Sequence, residues 1–283
     1  MSGGLAWHAK DRVLDPADHT LVMGILNVTP DSFSDGGRYL DPEAAVAHAL
    51  GMAEEGADVI DVGGESTRPG SDPVATEEEL ARVLPVIERI ARERPELAIS
   101  IDTRKPEVAE AALAVGACIV NDISAGRSGG MFEVVRDAGA GMVLMHMLGE
   151  PKTMQEAPSY EDVVAEVRAF LRERLEAATA AGIPPEALVV DPGIGFGKTL
   201  EHNLLLLRHL ELLEELGRPV MVGASRKRFI GAILGLPEEE RDEGTVGAVA
   251  WAVAHGASIV RVHDVRSTVR ALRVVDAIAR VER

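Results

Sequence analysis

Asp102 and Asp191 each close a short apolar run, residues 99–101 and 188–190. Carboxylates so placed can accept paired N–H donors from a guanidine-like or aminopyrimidine ring through charge-assisted hydrogen bonds. The alternative use is helix capping, ahead of Thr103-Arg104-Lys105-Pro106 in one case and Pro192 in the other. Asn27 ends the run 21–26. Its amide oxygen can ligate Mg²⁺ without adding charge, leaving water and a substrate phosphate to fill the other positions, or it can cap a turn. Lys227, Arg261 and His263 follow the last two apolar runs and Arg68 follows the second, a set suited to an anionic group. His146, between Met145 and Met147, fits equally a ligand-binding imidazole and a packed, hydrogen-bonded one. Asp61 reads as the brace of a loop, and the remaining histidines as surface groups.

The elements that must hold these residues repeat. Short apolar runs ending in polar side chains recur about eight times, the number a (β/α)8 barrel requires. Helical periodicity fills the intervals: 42–55, 76–94, 106–115, 131–138, 159–181, 200–216, a short turn at 228–234, 244–255 and 265–281. Continuous Val/Ile/Leu runs suit parallel strands covered on both faces. A doubly wound open sheet shares that property, but about eight units favour closure. The long connections (28–41, 63–75, 124–130 and 147–158) all follow strands, where a barrel carries its chemistry. The expected architecture is an α/β, single-domain (β/α)8 TIM barrel over residues 20–283, preceded by an N-terminal extension, 1–19.

The bulk composition agrees. The chain has 283 residues, 46% hydrophobic, with mean hydropathy +0.07, and no apolar run approaches the ~18 residues of a membrane span. Residues 1–12 have no apolar signal segment, and the single Cys118 cannot form an intrachain disulfide. A cytoplasmic protein is expected, with Cys118 a small core residue. Net charge of -17 and 3% aromatic content argue against nucleic-acid and membrane partners. The Gly193–Thr199 loop carries neither a Walker phosphate loop, since Pro192 stands where a glycine is needed, nor a dinucleotide fingerprint, since Lys198 replaces the third glycine.

Longer motifs then add a resemblance. Met23-Gly-Ile-Leu-Asn-Val-Thr-Pro-Asp-Ser-Phe-Ser-Asp-Gly-Gly37 and Asp61-Val-Gly-Gly-Glu-Ser-Thr-Arg-Pro-Gly70 resemble the two signatures of the dihydropteroate synthase family. Ser100-Ile-Asp-Thr103, Asn121-Asp-Ile123, Leu144-Met-His-Met147, Asp191-Pro-Gly-Ile-Gly-Phe-Gly-Lys198, Ser225-Arg-Lys227 and Arg261-Val-His-Asp264 follow in family order. The resemblance runs from about residue 21 to the C-terminus.

It implies a transferase that joins 6-hydroxymethyl-7,8-dihydropterin diphosphate to p-aminobenzoate in folate biosynthesis, releasing diphosphate. By resemblance, Asp102, Asn121, Asp191, Lys227 and Arg261 bind the pterin, with Met145, Phe196 and Gly223 in its pocket. Asn27 holds Mg²⁺ and, with Arg68, Arg261 and His263, the diphosphate. Thr67, Arg68, Pro69 and Ser225 form the p-aminobenzoate site, the one sulfonamides address. Asp102, Lys227 and Arg261 take the catalytic roles, with Asp35 of the first loop as a further carboxylate. A homodimer is implied, to which the apolar face 246–253 would contribute. Two other enzymes, a corrinoid-linked pterin methyltransferase and a Schiff-base aldolase using Lys227, fit fewer of these residues, and a pterin-binding module without turnover leaves Asn27 and the cations without a task.

Overall fold

The computed structural model describes residues 5–29, 41–66 and 71–281. A hairpin comes first, β1 (Trp7–Ala9) paired antiparallel with β2 (Arg12–Leu14). Eight parallel strands follow: β3 (Leu21–Asn27), β4 (Val59–Gly63), β5 (Ala98–Asp102), β6 (Ile119–Asp122), β7 (Gly141–Met145), β8 (Leu188–Asp191), β9 (Met221–Val222) and β10 (Ile259–Val262). They pair in the order β8-β7-β6-β5-β4-β3-β10-β9. A parallel bridge between Val190 and Val220, with the Val190 N–H on the Pro219 carbonyl at 3.1 Å, closes β8 onto β9. The fold is the expected (β/α)8 barrel.

The helices are α1 (Pro42–Glu54), α2 (Thr76–Glu93), α3 (Pro106–Ala114), α4 (Met131–Ala138), α5 (Val163–Ala180), α6 (Leu200–Arg208), α7 (Arg228–Leu234), α8 (Asp242–Ala254) and α9 (Val265–Ala279). Two depart from the periodicity. α5 starts at Val163 rather than near Ser159, because the Asp162 carboxylate accepts the Val164 and Ala165 N–H groups and so sets the first turn. The segment expected as one helix over 200–216 breaks at His209 and continues as a 3₁₀ helix, Leu210–Leu216.

Although the strand runs are uniformly apolar, their side chains alternate. Val22, Leu26, Ile60, Ile101, Leu144 and Val190 pack outward against the helices in the main core. Every barrel strand also sends an apolar residue into a separate inner cluster: Leu21 and Met23, Val59, Ala98, Ile119, Val143, Val189, Met221 and Ile259. Trp7 and Ala9 of the hairpin join this inner cluster. Trp7 is fully buried and donates from Nε1 to the Ala187 carbonyl at 3.0 Å. The hairpin therefore caps the lower end of the barrel, a use that nothing in its short strands announces. Cys118 belongs to this floor as a free, buried thiol.

Candidate active site

Above the apolar floor the same inward positions become polar. Ile25, Asp61, Ser100 and Ile119 are successive Cα partners across β3 to β6, and Asn27, Gly63, Asp102 and Asn121 form the next row, two residues further up. Met145 is the partner of Asp191 on the other side of the barrel. A strand of two-residue period thus carries an apolar residue low and a polar one high on the same face. Asp102, Asn121, Met145 and Asp191, with Arg261 on β10, share this inward face as expected.

The polar groups bind one another. Arg261 donates from Nε to Asp61 Oδ2 at 2.6 Å and from Nη2 to Asp102 Oδ2 at 2.7 Å. Asn121 Nδ2 donates to the same Asp61 oxygen at 2.9 Å. Asp61 is therefore no loop brace; that task falls to Asp122, which accepts the Ser124 and Gly126 N–H groups. β4 does not end at Asp61 but runs on to Gly63, which puts Asp61 inside the barrel rather than in a loop.

The loop after β8 forms the opposite wall. Asp191 Oδ1 accepts the Gly193 N–H at 2.6 Å. Gly193 has φ +66°, and a Cβ there would stand 1.9 Å from the His146 carbonyl oxygen, so only glycine permits this close approach. Lys198 turns back beneath the loop, its Nζ 2.9 Å from the Gly193 and Phe196 carbonyls and from His146 Nδ1. Lys227 Nζ lies 4.0 Å from the centroid of the Phe196 ring, a cation–π contact. His146 is a packed group: it is buried, its ring meets Phe170 edge-on, and burial with the Lys198 charge holds its pKa down to about 3.

Burial perturbs the titrating groups. It pushes the Asp102 carboxyl up to about 7, with Asp61 and Glu79 adding to the effect and Arg261 and Lys227 opposing it. It raises Asp191 to about 6 against the Gly193 N–H and Lys227, and brings Lys227 down to about 8 with help from Arg261. At Arg261 burial works the other way, but Asp61 and Asp102 raise its pKa.

A cavity of about 900 Å³ opens above this layer, its lining including Asn27, Asp102, Phe196, Lys227, Arg261 and His263. Gly223, also on the lining, would carry a Cβ only 4.0 Å from Asp191 Oδ2. Ser225 and His263 are coupled: the His263 N–H donates to Ser225 Oγ at 3.2 Å, and Oγ lies 2.9 Å from His263 Nδ1. Such a cavity, narrow in its polar groups and cationic on one side, suits a flat heterocycle carrying an anionic tail.

The sequence profile described as "Pterin binding enzyme" matches residues 23–263. The dihydropteroate synthase of Escherichia coli (strain K12) is 51% identical over 259 residues, 92% of each chain. The chain belongs to the dihydropteroate synthase family of pterin-binding enzymes. Solved structures agree with this synthase fold. The Xanthomonas albilineans dihydropteroate synthase with 4-aminobenzoic acid is 51% identical, with a TM-score of 0.92 over 99% of this chain and 100% of that one. A second structure of the synthase from that organism, in complex with 7,8-dihydropteroate, is 48% identical with a TM-score of 0.88, over 98% and 100% of the two chains.

Within the synthase family reading, Asp35, Thr67, Arg68 and Pro69 lie outside the described residues. The feet of their second loop are described: Lys105 Nζ holds Glu65 at 2.5 Å and the Val74 carbonyl at 2.7 Å. Sequence reasoning overlooked Asp61 as a hub, Lys198 as the loop's internal strut and Lys105 as a clasp. Only Asp61 left a signal, since it stands two residues before Gly63 and so shares the inward face.

Proposed function

We propose that this chain is a working dihydropteroate synthase: it condenses 6-hydroxymethyl-7,8-dihydropterin diphosphate with p-aminobenzoate to 7,8-dihydropteroate, releasing diphosphate. The observation that carries the reading is the inward polar layer of Asp102, Asn121 and Asp191, with Lys227 and Arg261 beside it and His263 on the same cavity. Asp191 and Asp102 accept the heterocycle's N–H groups and Asn121 supports them, while Lys227 donates to its ring acceptors. Met145 and Phe196, in one apolar cluster, supply the flat walls.

Magnesium is part of the proposal. Among the described residues no group of three His, Cys, Asp or Glu could hold a metal ion. The donor on offer is the Asn27 amide at the end of β3, on the cavity lining, which suits an ion that keeps several waters and takes its remaining oxygens from a substrate diphosphate. When bound, Mg²⁺ would neutralise charge on the leaving diphosphate. Arg261 and His263 would bind that anion, with Arg68 beside them.

The reaction needs no protein nucleophile. In the route proposed, the bond from the methylene carbon to oxygen breaks and its electron pair leaves with diphosphate. The resulting cation is conjugated with the dihydropterin ring, and the Asp102 carboxylate stabilises it, with Asp35 as a further carboxylate. The p-aminobenzoate nitrogen then bonds to the methylene carbon and loses a proton. Ser225, with Thr67, Arg68 and Pro69, would seat p-aminobenzoate. In the pterin diphosphate, positional exchange of labelled bridging oxygen without p-aminobenzoate supports the dissociative route; its absence while diphosphate can rotate and be recaptured would contradict it.

A cytoplasmic homodimer completes the proposal. Leu204, Ile233, Leu234 and Trp251 expose apolar surface around a shared groove on α6, α7 and α8, which a second copy would cover. No helix among the described residues is long and apolar enough to cross a membrane. The functional test is product: purified protein with both substrates and Mg²⁺ should yield 7,8-dihydropteroate by mass spectrometry, and its absence would sink the reading.

A further inference from the structure

Asp61 is fully buried on β4, and its Oδ1 has no hydrogen-bond partner among the described residues. Ser100, its Cα partner on β5, also has a buried Oγ without one. A buried carboxylate with a bare oxygen is costly, and an apolar residue would fill this position as well as its neighbours do. Its other oxygen, Oδ2, gathers two residues of the pterin layer: Asn121 Nδ2 at 2.9 Å and Arg261 Nε at 2.6 Å. Asp61 does not line the cavity itself.

An ionised carboxylate only accepts hydrogen bonds. Asn121 must therefore turn its NH₂ toward Asp61, which leaves its second N–H and its Oδ1 for a ligand, in a fixed order. Arg261 is held at Nε, the atom nearest its stem, while Nη2 reaches across to Asp102. The guanidinium can thus change partners at its outer nitrogens without losing its anchor. This matters because Asp102 Oδ2, now occupied by Arg261, belongs to a carboxylate expected to receive the pterin.

We infer that Asp61 is a positioning residue of the pterin subsite: through Oδ2 it sets the hydrogen-bond polarity of Asn121 and tethers Arg261 at Nε, so that Asp102 is released to a heterocycle without Arg261 leaving the site. The inference rests on the proposed synthase reading. It predicts discrimination for a ring edge that pairs a donor and an acceptor against Asn121, in the manner of an aminopyrimidine.

The test is Asp61→Asn, which keeps the shape and removes the charge. The expected result is a KM for the pterin diphosphate raised by roughly tenfold or more, as for loss of a charged hydrogen-bond partner, with the KM for p-aminobenzoate within about twofold. Combining Asp61→Asn with Asn121→Ala should give less than the product of the two single effects, because the two residues act as a unit. A lowered Tm with an unchanged pterin KM would mean a merely structural role and would overturn the inference. A second measurement needs no variant. In ¹⁵N-labelled wild-type protein the Asn121 side-chain amide proton that faces Asp61 should be protected from solvent exchange, and its exchange at the rate of an exposed amide would equally overturn it. A wild-type protein that forms no dihydropteroate defeats the synthase reading instead, so the two failures are distinguishable.

Discussion

Arg261 and Asp102 are bonded to each other, Nη2 to Oδ2 at 2.7 Å, although Arg261 is expected at the pterin and the diphosphate and Asp102 at the pterin's N–H groups. Without substrate, each neutralises the other inside a buried layer, where an unpaired charge would be expensive. Substrate must separate them, supplying N–H donors to Asp102 and an anion to Arg261. Arg261→Ala should therefore lower kcat/KM for the pterin diphosphate by about 10²-fold or more, and Arg261→Lys should rescue little of it, because one ammonium cannot span Asp61 and Asp102 as the guanidinium does. Steady-state kinetics of the two variants decide this; full rescue by lysine would show that only charge matters.

Binding of a 7,8-dihydropterin without diphosphate should depend on pH in a bell-shaped way. Asp102 and Asp191, raised by burial to about 7 and about 6, lose their acceptor form as pH falls through those values. Lys227, lowered by burial and Arg261 to about 8, loses its charge as pH rises past that point. Affinity should peak between about 7 and 8 and decline on both sides, as measured by calorimetric titration from about pH 5 to about pH 9.5. A flat profile would contradict the assignment of these groups to the pterin.

Ser225 is set by its neighbour. Its Oγ receives the His263 backbone N–H and lies 2.9 Å from His263 Nδ1, so that residue holds the hydroxyl from two sides. Ser225→Ala should raise the KM for p-aminobenzoate by about fivefold, the worth of a hydrogen bond of about 1 kcal/mol, and leave the pterin KM unchanged. Equal loss for both substrates would place Ser225 elsewhere in the mechanism.

Lys198 holds the β8 loop from within, so Lys198→Met should leave the Phe196 carbonyl and His146 Nδ1 without this donor and the Gly193 carbonyl with the Phe196 N–H alone. A destabilisation of about 2–4 kcal/mol and a Tm lower by several degrees are expected. The wild-type sign is also defined. Burial lowers this amine to about 7, so between about pH 7 and the ordinary lysine value of 10.5 the folded chain binds fewer protons than the unfolded one and gains stability as pH rises. That slope should be absent from urea-unfolding curves of the variant; an unchanged slope would show that Lys198 is not its source.

Asp102, Asn121, Asp191 and Arg261 were legible in the sequence because each sits at or near the end of an apolar run, and a barrel strand delivers such a residue to one rim. Asp61 was harder: its run, 59–60, is so short that the aspartate reads as an end, while β4 continues two residues to a glycine that has no side chain to mark the rim. The strut role of Lys198 is not legible, because its partners are mainly backbone carbonyls, which leave no residue signature. The hairpin was unreadable for a related reason. Its strands have three residues each, too few for periodicity, and what fixes them is Trp7 inserting into the barrel floor. Periodicity finds elements that pack along their length; it misses single side chains that act as plugs or struts.

The most direct test of the account is the initial rate of diphosphate release over a matrix of pterin diphosphate and p-aminobenzoate concentrations, with Mg²⁺ present. Sustained release that requires both substrates, saturates in each, and is matched one-to-one by dihydropteroate is the predicted result. Sustained release that is indifferent to p-aminobenzoate, or no release at all, would contradict the reading of this barrel as a dihydropteroate synthase.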